Sequence, residues 1–358
     1  MDGCVGEIGF PTVTSKGRWS VRADVSIVLC TYNRADMLGP ALESLVRQET
    51  HGQFRFEVVV VDDGSTDGTQ VTLQKIVKDS QVPIRCLRGE GRGIAAARNT
   101  GVAAASGEWL AFFDDDQLAE PNWLEELRAC AGQAGVDVVG GAVRLHLPDE
   151  EIRKISPFCR ATLGETNGGR KLGKCFRKTF PGSGNMLVRA TVFQAVGQFD
   201  ESWTRGGSDI ELTARLRRAG LEAWFTPKAI VYHHVPAYRL KESYFFWRSI
   251  RCGENFANRD FREWGLARTV IACAARIAQA TFITFPLMLF AYSLGNRAEV
   301  IGRKCSILRA WGYLRQSLNQ VSPRLFSQES YFSNFTFRRE RSAFAGSSKS
   351  TEWRNPSK

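Results

Sequence analysis

Residues 109–116 read WLAFFDDD, an apolar run that ends in three consecutive aspartates. Residues 56–63 read FEVVVVDD, and residues 25–30 read VSIVLC, so two more apolar runs precede it. Apolar, β-branched runs of this length are typical of strands buried on both faces of a parallel sheet. Helical patterns follow these runs at short intervals. The sequence therefore predicts an α/β fold, a mostly parallel, Rossmann-like sheet with helices on both faces.

Acidic turns follow two of these strands, at the ends where ligands gather in parallel sheets. Asp114 and Asp116 are two residues apart, so on an extended segment they share one face. Their mutual repulsion favours a bound Mg²⁺ or Mn²⁺, which one or two carboxylates and substrate phosphate oxygens usually hold. The alternative is an acidic turn that caps the helix near Trp123. Asp63 either accepts hydrogen bonds from a nucleobase or ribose, or simply shapes a turn.

Three further motifs have two interpretations each. Residues 91–96 fit the G-x-G-x-x-A dinucleotide pattern, which would indicate a nicotinamide-dependent oxidoreductase, although the pattern is common in Gly- and Ala-rich chains. Asp209 stands at a predicted helix start, as a helix cap or as a general base. The adjacent His233 and His234 end the last predicted strand, where one of them could bind a metal or both could be half-buried.

The order of eight short motifs resembles that of glycosyltransferase family 2, whose members have a GT-A fold and use nucleotide-diphosphate sugars. The motifs are residues 25–34, 60–67, 97–101, 113–116, 184–186, 199–201, 207–212 and 231–234. Each motif is short, but eight in the family's order are specific. The resemblance covers about residues 24–237, nearly the whole α/β part.

The resemblance implies a role for each matching residue. It implies that the nucleotide sugar is bound by Tyr32, Arg34, Asp63, Arg98, Asp114 and Asp115. Asp116 is then the main ligand of a divalent metal, Mn²⁺ or Mg²⁺, with His233 near the metal and the diphosphate. Asp209 is implied as the catalytic base, and Gly184 and Asn185 as the acceptor side.

The activity that the resemblance implies is inverting, metal-assisted transfer of a hexose from a nucleotide-diphosphate donor, of the UDP-sugar type, to a hydroxyl of a glycan or lipid-linked acceptor. Three residues depart from the family pattern. Cys30 stands where Thr or Pro is common, Gln117 where Asp is frequent, and Ser208 where Glu is usual. These departures keep a second hypothesis open, a non-catalytic nucleotide-sugar-binding or scaffold protein of the same fold.

The basic charge is concentrated near the C-terminus. Residues 239–358 hold 20 Lys/Arg and 8 Asp/Glu, a balance of +12 in a chain whose net charge is +11. No nucleic-acid-binding motif accompanies this charge, so we expect no nucleic-acid partner. Residues 277–296 are uncharged and lie between Arg276 and Arg297. They fit a membrane-associated segment beside anionic lipid, or a buried apolar hairpin that closes the catalytic domain.

These patterns divide the chain into four parts: a leader (1–23), a GT-A catalytic domain (24–237), a helical, apolar and basic region with the membrane segment (238–320), and a poorly ordered basic tail (321–358). The nine cysteines are scattered, without a CxxC pair or a zinc-like cluster, which fits reduced thiols. No secretory signal pattern follows Met1. We therefore expect a cytoplasmic protein at the cytoplasmic face of a membrane, with an acceptor of the cell-envelope polysaccharide type.

Overall fold

A computed structural model describes residues 22–166, 171–176, 180–203 and 206–322. Apart from two residues each, the predicted leader and tail lie outside these ranges. The described residues fall into two compact units. The first unit falls within Met1–Gly141, Lys171–Thr204 and Ala219–Val231, and the second within Ala142–Arg170, Arg205–Arg218 and Tyr232–Lys358.

The strands of the described residues form one mixed sheet in the order β3-β2-β1-β4-β8-β6-β9-β5, with β7 paired to β9. The strands are β1 (Val25–Thr31), β2 (Phe56–Asp62), β3 (Ile84–Arg88), β4 (Trp109–Asp114), β5 (Gln117–Ala119), β6 (Val138–His146), β7 (Gly173–Lys174), β8 (Asn185–Arg189) and β9 (Ala223–His234). The predicted runs at 25–30, 56–61 and 109–113 are all strands.

The sheet is parallel where helices supply the crossovers. β1 pairs in parallel with β2 and β4, and β2 pairs in parallel with β3. β8 is antiparallel to both β4 and β6, so the expectation of a mostly parallel sheet holds for β1–β4 and gives way to a mixed sheet beyond them. A parallel neighbour needs a long crossover, whereas an antiparallel one does not.

Helices follow the strands of the α/β part at short intervals, as predicted. They are α1 (Ala35–Val46), α2 (Thr69–Asp79), α3 (Ile94–Ala104), α4 (Trp123–Ala134), α5 (Asp149–Arg153), α6 (Pro157–Thr162), α7 (Thr191–Val196) and α8 (Ser208–Arg218). α1 shows why the sequence folds in this way. It buries Met37, Leu38, Ala41, Leu42 and Leu45, which lie on one stripe of a 3.6-residue helix.

The C-terminal region is helical, as predicted. It consists of α9 (Glu242–Gln279), a π-helical turn (Ala280–Thr284), α10 (Phe285–Ser293) and α11 (Arg297–Val321). Gly265 interrupts α9 with φ +74°, a conformation that favours glycine. A Cβ at Gly253 would overlap the Arg309 carbonyl oxygen, so glycine lets α9 and α11 approach closely.

Within the described residues, one stretch, Glu242–Ser293, is long and apolar enough to cross a membrane by length and composition. Its second half exposes many large apolar side chains, including Phe282 (78%) and Phe290 (62%), and the exposed Leu294 (66%) follows directly after it. A monomeric soluble protein rarely exposes so large a contiguous apolar patch. The buried hairpin that the sequence also allowed therefore does not describe this segment of the structure.

Candidate active site

The predicted site begins where three parallel strands end together. In the strand register, Thr31 of β1 lies beside Asp62 of β2, and Cys30 of β1 lies beside Asp114 of β4. The residues just before this edge, 27–29 and 58–61, are apolar and buried, so polar side chains begin where the strands end. Sequence motifs that lie far apart along the chain thus meet at one carboxyl edge of the first unit.

The loops after β1 and β2 are hydrogen-bonded to each other at this edge. The Asn33 backbone N–H donates to Ser65 Oγ (2.8 Å), and the Thr66 N–H donates to Asn33 Oδ1 (2.8 Å). Asn33 has φ +52°, a conformation that Asn tolerates better than most residues. Tyr32, between these contacts, leaves its side chain 48% exposed. The loops form one fixed rim with an accessible aromatic ring, and Asn33 is a positioning residue that the sequence did not single out.

Asp67 makes a third link between the same two loops. Its Oδ2 accepts the Ala35 N–H (3.2 Å), and its Oδ1 accepts the Thr69 N–H (2.9 Å). Burial tends to raise the pKa of Asp67, but the hydrogen bonds from Thr69 and Ala35 outweigh it and lower the pKa. The ionised carboxylate therefore helps to fix the rim.

Asp63 is buried and holds the glycine-rich turn before α3. Its Oδ1 accepts the Gly91 N–H (3.0 Å) and its Oδ2 accepts the Gly93 N–H (2.7 Å). A Cβ at Gly89 would lie 2.6 Å from Asp63 Oδ1, so the approach needs glycine. Each carboxylate oxygen has a second lone pair, which is available to a nucleobase.

This arrangement argues against the dinucleotide interpretation of residues 91–96. The segment does stand between β3 and α3, as that motif requires. In a dinucleotide site, however, the glycine-rich turn and helix N-terminus present their N–H groups to a pyrophosphate. Here the N–H groups of Gly91 and Gly93 bind the Asp63 carboxylate. The turn is thus fastened to the sheet by an anion of the protein itself.

Two arginines lie against the aspartate triplet. Arg98 Nη2 donates to Asp114 Oδ1 (3.1 Å), and the Arg98 guanidinium lies 5.5 Å from the centroid of the Phe199 ring. Arg34 Nη2 lies 3.9 Å from Asp116 Oδ2, as an ion pair. Asp114 and Asp116 therefore each have a cationic neighbour, which lowers the repulsion between them.

Asp115 differs from its two neighbours in its electrostatics. Burial raises the pKa of Asp115 to about 7; Arg34 opposes this shift, while Asp116 adds to it. Burial of the middle aspartate therefore disfavours its ionised form. Asp115 and Asp116 lie in the turn between β4 and β5, so the expected alternation of an extended segment does not apply beyond Asp114.

The triplet fits a divalent metal in its chemistry but does not form a complete cage. Within the described residues, no group of three or more His, Cys, Asp or Glu side chains is arranged to hold a metal ion. Mg²⁺ commonly takes only one or two protein carboxylates and completes its shell with substrate phosphates and water. Asp116, with Asp114 nearby in the chain, meets that smaller requirement.

Gly184 and Asn185 lie where β8 begins, beside the same end of β4. A Cβ at Gly184 would lie 2.7 Å from Asp114 Oδ2, so glycine allows the carboxylate to sit against the backbone. The buried Asn185 accepts a hydrogen bond from Trp123 Nε1 (2.8 Å) and donates to the Ala229 carbonyl (3.0 Å). These contacts give Asn185 a structural role in the sheet, and its acceptor-side role stays a prediction.

Two of the short motifs hold each other together. Asn99 Nδ2 donates to the Phe199 carbonyl (2.9 Å) and to Glu201 Oε1 (2.9 Å), and the Phe199 N–H donates to Asn99 Oδ1 (2.9 Å). This clamp fixes α3, which carries Arg98. From the sequence, Asn99 could have contacted the nucleotide or the acidic turn; in the structure it binds residues 199 and 201 instead.

The three departures from the family pattern have local explanations. Cys30 is buried, and burial raises the pKa of its thiol to about 12, so it stays protonated. Gln117 accepts the Asp114 N–H through Oε1 (3.4 Å) and so closes the turn after β4. Ser208 is buried at the start of α8. All eight described cysteines are free thiols.

Asp209 and His233 belong to the second unit. Asp209 lies in the first turn of α8 and is close enough to Arg248 for their charges to interact. His233 Nδ1 lies 2.7 Å from the Leu163 carbonyl, and its Nε2 lies 3.2 Å from Arg239 Nη1. A carbonyl only accepts and a guanidinium only donates, so Nδ1 carries the proton. The Nε2 lone pair, the one a metal would need, binds Arg239.

Comparison with known proteins relates part of the chain to glycosyltransferases. Residues 26–197 match the family model described as Glycosyl transferase family 2. Glycosyltransferase AglE of Haloferax volcanii is 31% identical over 58% of this chain and 66% of its own length. Validoxylamine A glucosyltransferase of Streptomyces hygroscopicus subsp. jinggangensis is 34% identical over 55% of this chain and 52% of its own. The chain thus spans about half to two thirds of the length of these two relatives.

A solved structure agrees with the fold. The mannosyltransferase PcManGT from Pyrobaculum calidifontis, in complex with GDP-Man and Mn²⁺, has a TM-score of 0.56 and 19% identity. The match covers 82% of this chain and 88% of that one. At this identity the likeness concerns the fold, which is the GT-A fold that the sequence predicted.

Proposed function

Residues 26–197 form a glycosyltransferase family 2 domain, and from that premise we propose that the chain transfers a hexose from a nucleotide-diphosphate donor to an acceptor hydroxyl, with inversion. The family and the named relatives support a sugar-transferring role in general. The observation that carries the proposal is the meeting of Asp63, Asp114 and Asp116 with two arginines at one sheet edge.

The donor nucleotide is bound, in this proposal, by residues of the first unit. Asp63 has free lone pairs for the imide or amino N–H of a base, and Tyr32 offers an exposed ring beside it. Asp114, Asp115 and Arg98 provide the groups for the ribose and the diphosphate. A UDP-sugar is the donor we propose, since a carboxylate accepts well from the uracil imide.

Asp116 is the proposed main ligand of Mn²⁺ or Mg²⁺, with Asp114 in support. When bound, such an ion would supply positive charge to the diphosphate leaving group. Arg34 now lies beside Asp116, and its guanidinium is equally suited to a phosphate oxygen. His233 is available as a further ligand only if Nε2 exchanges Arg239 for the ion.

Asp209 is the proposed base. A carboxylate in the first turn of a helix is held at a defined position by a rigid element. It takes the proton of the acceptor hydroxyl as that oxygen attacks the anomeric carbon, and the diphosphate leaves from the opposite side. One displacement of this kind inverts the configuration.

The exposed apolar stretch supports a membrane location for this activity. Phe282, Phe290 and Leu294 gain from contact with lipid, and Arg276 and Arg297 flank the segment. We propose that the chain works at the cytoplasmic face of a membrane, on a lipid-linked or cell-envelope glycan.

The test is a screen of nucleotide sugars for nucleotide release, with Mn²⁺, with Mg²⁺ and with a chelator. We expect release from one donor class, lost on chelation and restored by metal. Asp209→Asn should lose transfer and keep nucleotide binding by calorimetry. Binding without turnover in the unaltered chain, with every donor and acceptor tried, would instead support the non-catalytic hypothesis.

A further inference from the structure

A polar cavity lies among the C-terminal helices, within the second unit. It has a volume of about 30 Å³ and opens to solvent. Its lining includes Arg276 of α9, Thr284 of the π-helical turn, and Ser306, Arg309 and Tyr313 of α11. Two arginines and three hydroxyl-bearing residues therefore line one space in a region that is otherwise rich in apolar side chains.

Arg276, the first of these arginines, pairs with Asp260, which also pairs with Arg259. Asp260 is fully buried, and its Oδ1 lies 2.6 Å from Arg259 Nη2. Its Oδ2 lies 3.3 Å from Arg276 Nη2 and accepts the Tyr313 hydroxyl (3.0 Å). The Arg276 Nε is buried and has no hydrogen-bond partner among the described residues. The Asp260 carboxylate thus pairs with two guanidinium groups, and the Arg276 Nε has no acceptor among the described residues.

The second arginine has no acid at all in the part of the chain that the structure describes. The Arg309 guanidinium stacks 4.4 Å from the centroid of the Phe158 ring. Burial lowers the pKa of Arg309, and the positive charge of Arg276 lowers it further. A partly buried cation beside a second cation is costly unless an anion accompanies it.

The cavity opens in the same segment that carries the exposed apolar face. Ala280 and Thr284 line the cavity, while Phe282, Ile283 and Phe285, interleaved with them in the chain, are exposed. A ligand that suits both features has an anionic head and an apolar tail. Paired guanidiniums bind phosphate oxygens through fixed, bidentate donors.

We infer that this cavity binds the phosphate headgroup of an anionic lipid, whose acyl chains lie along the exposed apolar face of α9 and α10. The inference rests on the proposed membrane location and names the lipid class for it. It is independent of the donor, the metal and the base, because every residue involved belongs to the helical region.

The experiment is flotation of the full chain with vesicles of phosphatidylcholine, alone and with added phosphatidic acid. We compare the unaltered chain with Arg309→Gln and with Arg303→Gln. Arg303 lies on the same helix, loses the same charge, and pairs with Glu299 instead of lining the cavity. A second arm measures the thermal midpoint with inorganic phosphate in place of lipid.

We expect phosphatidic acid to raise the affinity of the unaltered chain and of Arg303→Gln about tenfold, which corresponds to about 1.4 kcal/mol. Arg309→Gln should lose this increment and keep its binding to phosphatidylcholine. If Arg309→Gln melts early, Ser306→Asp replaces it, because it sets a carboxylate in the cavity and leaves Arg309 in place. The same loss is expected.

Three results would overturn the inference. Equal losses in Arg309→Gln and Arg303→Gln would mean that surface charge alone attracts the vesicle. If phosphatidic acid still raises the vesicle affinity of both Arg309→Gln and Ser306→Asp, the cavity is not the binding site. Stabilisation by inorganic phosphate without any phosphatidic acid increment would assign the cavity to a free anion. Failure to bind phosphatidylcholine at all is a separate result, and it contradicts the membrane location.

Discussion

The sheet edge and the C-terminal helices both combine aspartates with arginines. Aspartates are in excess at the edge, and arginines are in excess among the helices around the cavity. At the edge, the aspartates outnumber the arginines, and Arg34 and Arg98 each lie against one of them. In the helices, Asp260 is shared by Arg259 and Arg276, and Arg309 stacks on an aromatic ring. The excess charge predicts the ligand: a cation with its phosphates at the edge, and an anion among the helices.

The two regions also differ in what they do with apolar side chains. The strands of the sheet bury theirs completely, including Phe112 at 1% exposure, whereas α10 leaves Phe290 at 62%. The first arrangement stabilises the fold, since buried apolar area supplies the main driving force. The second adds little to folding and is suited to a lipid surface. Similar residues thus stabilise the fold in one region and form the proposed membrane contact in the other.

The largest expected effect tests this second difference. Phe112→Ala should lower the free energy of unfolding by about 3–5 kcal/mol, because it leaves a cavity in the core. Phe290→Ala should change the free energy of unfolding by no more than about 0.5 kcal/mol. It should weaken vesicle binding by roughly tenfold or more, because burying a Phe side chain contributes about 1.5–3 kcal/mol. Urea unfolding and flotation measure the two. A large stability loss in Phe290→Ala would remove the contrast.

The next effect tests the acid-rich edge. Asp116→Ala should reduce metal-dependent nucleotide release by about 100- to 1,000-fold, the usual cost of removing one preorganised electrostatic group. The matched control is Asp79→Ala, an exposed aspartate at the end of α2, which should keep full activity. Steady-state kinetics at saturating Mn²⁺ measure both. Unchanged turnover in Asp116→Ala would refute the proposed metal ligand.

A smaller effect tests how tightly the edge is packed. Gly184→Ala would set a Cβ 2.7 Å from Asp114 Oδ2, so we expect about 1–3 kcal/mol of destabilisation and a higher KM for the donor. Gly132→Ala is the control. It lies within α4, and its Cβ would meet nothing within 4 Å, so we expect about 0.5–1 kcal/mol of stabilisation. Equal shifts in the two variants would contradict the close approach at Gly184.

The smallest effect tests the rim. The pKa of Asp67 is lower in the folded protein than in the unfolded chain. Its contribution to stability is therefore present above the pKa that Asp67 has in the unfolded chain, and it is lost as the pH falls through the pKa of Asp67 in the folded protein. Because Asp67 is mostly exposed, the contribution is less than about 1 kcal/mol. The stability gap between the unaltered chain and Asp67→Asn should therefore close between pH 5 and acid pH, by urea unfolding. A gap that persists in acid would mean that charge is not its cause.

The sequence by itself determined the parallel strands β1, β2 and β4, the alternation of helices with them, and the family. Apolar periodicity and helix-start residues act within about ten neighbours, so they can be read from the chain. The family motifs extended this to the identity of the candidate site residues. The exposed apolar stretch was also visible, but composition alone left both a membrane segment and a buried hairpin open.

Only the tertiary structure decided what each polar group contacts. That Asp63 fastens residues 91 and 93, that Asn185 anchors Trp123, and that Arg309 lines a cavity with Arg276 all depend on residues far apart in sequence. Parallel crossovers and helix packing set these distances. Hydrogen bonds and ion pairs act over only a few ångströms, so a pattern in the chain can indicate a chemical group while the fold alone chooses its partner.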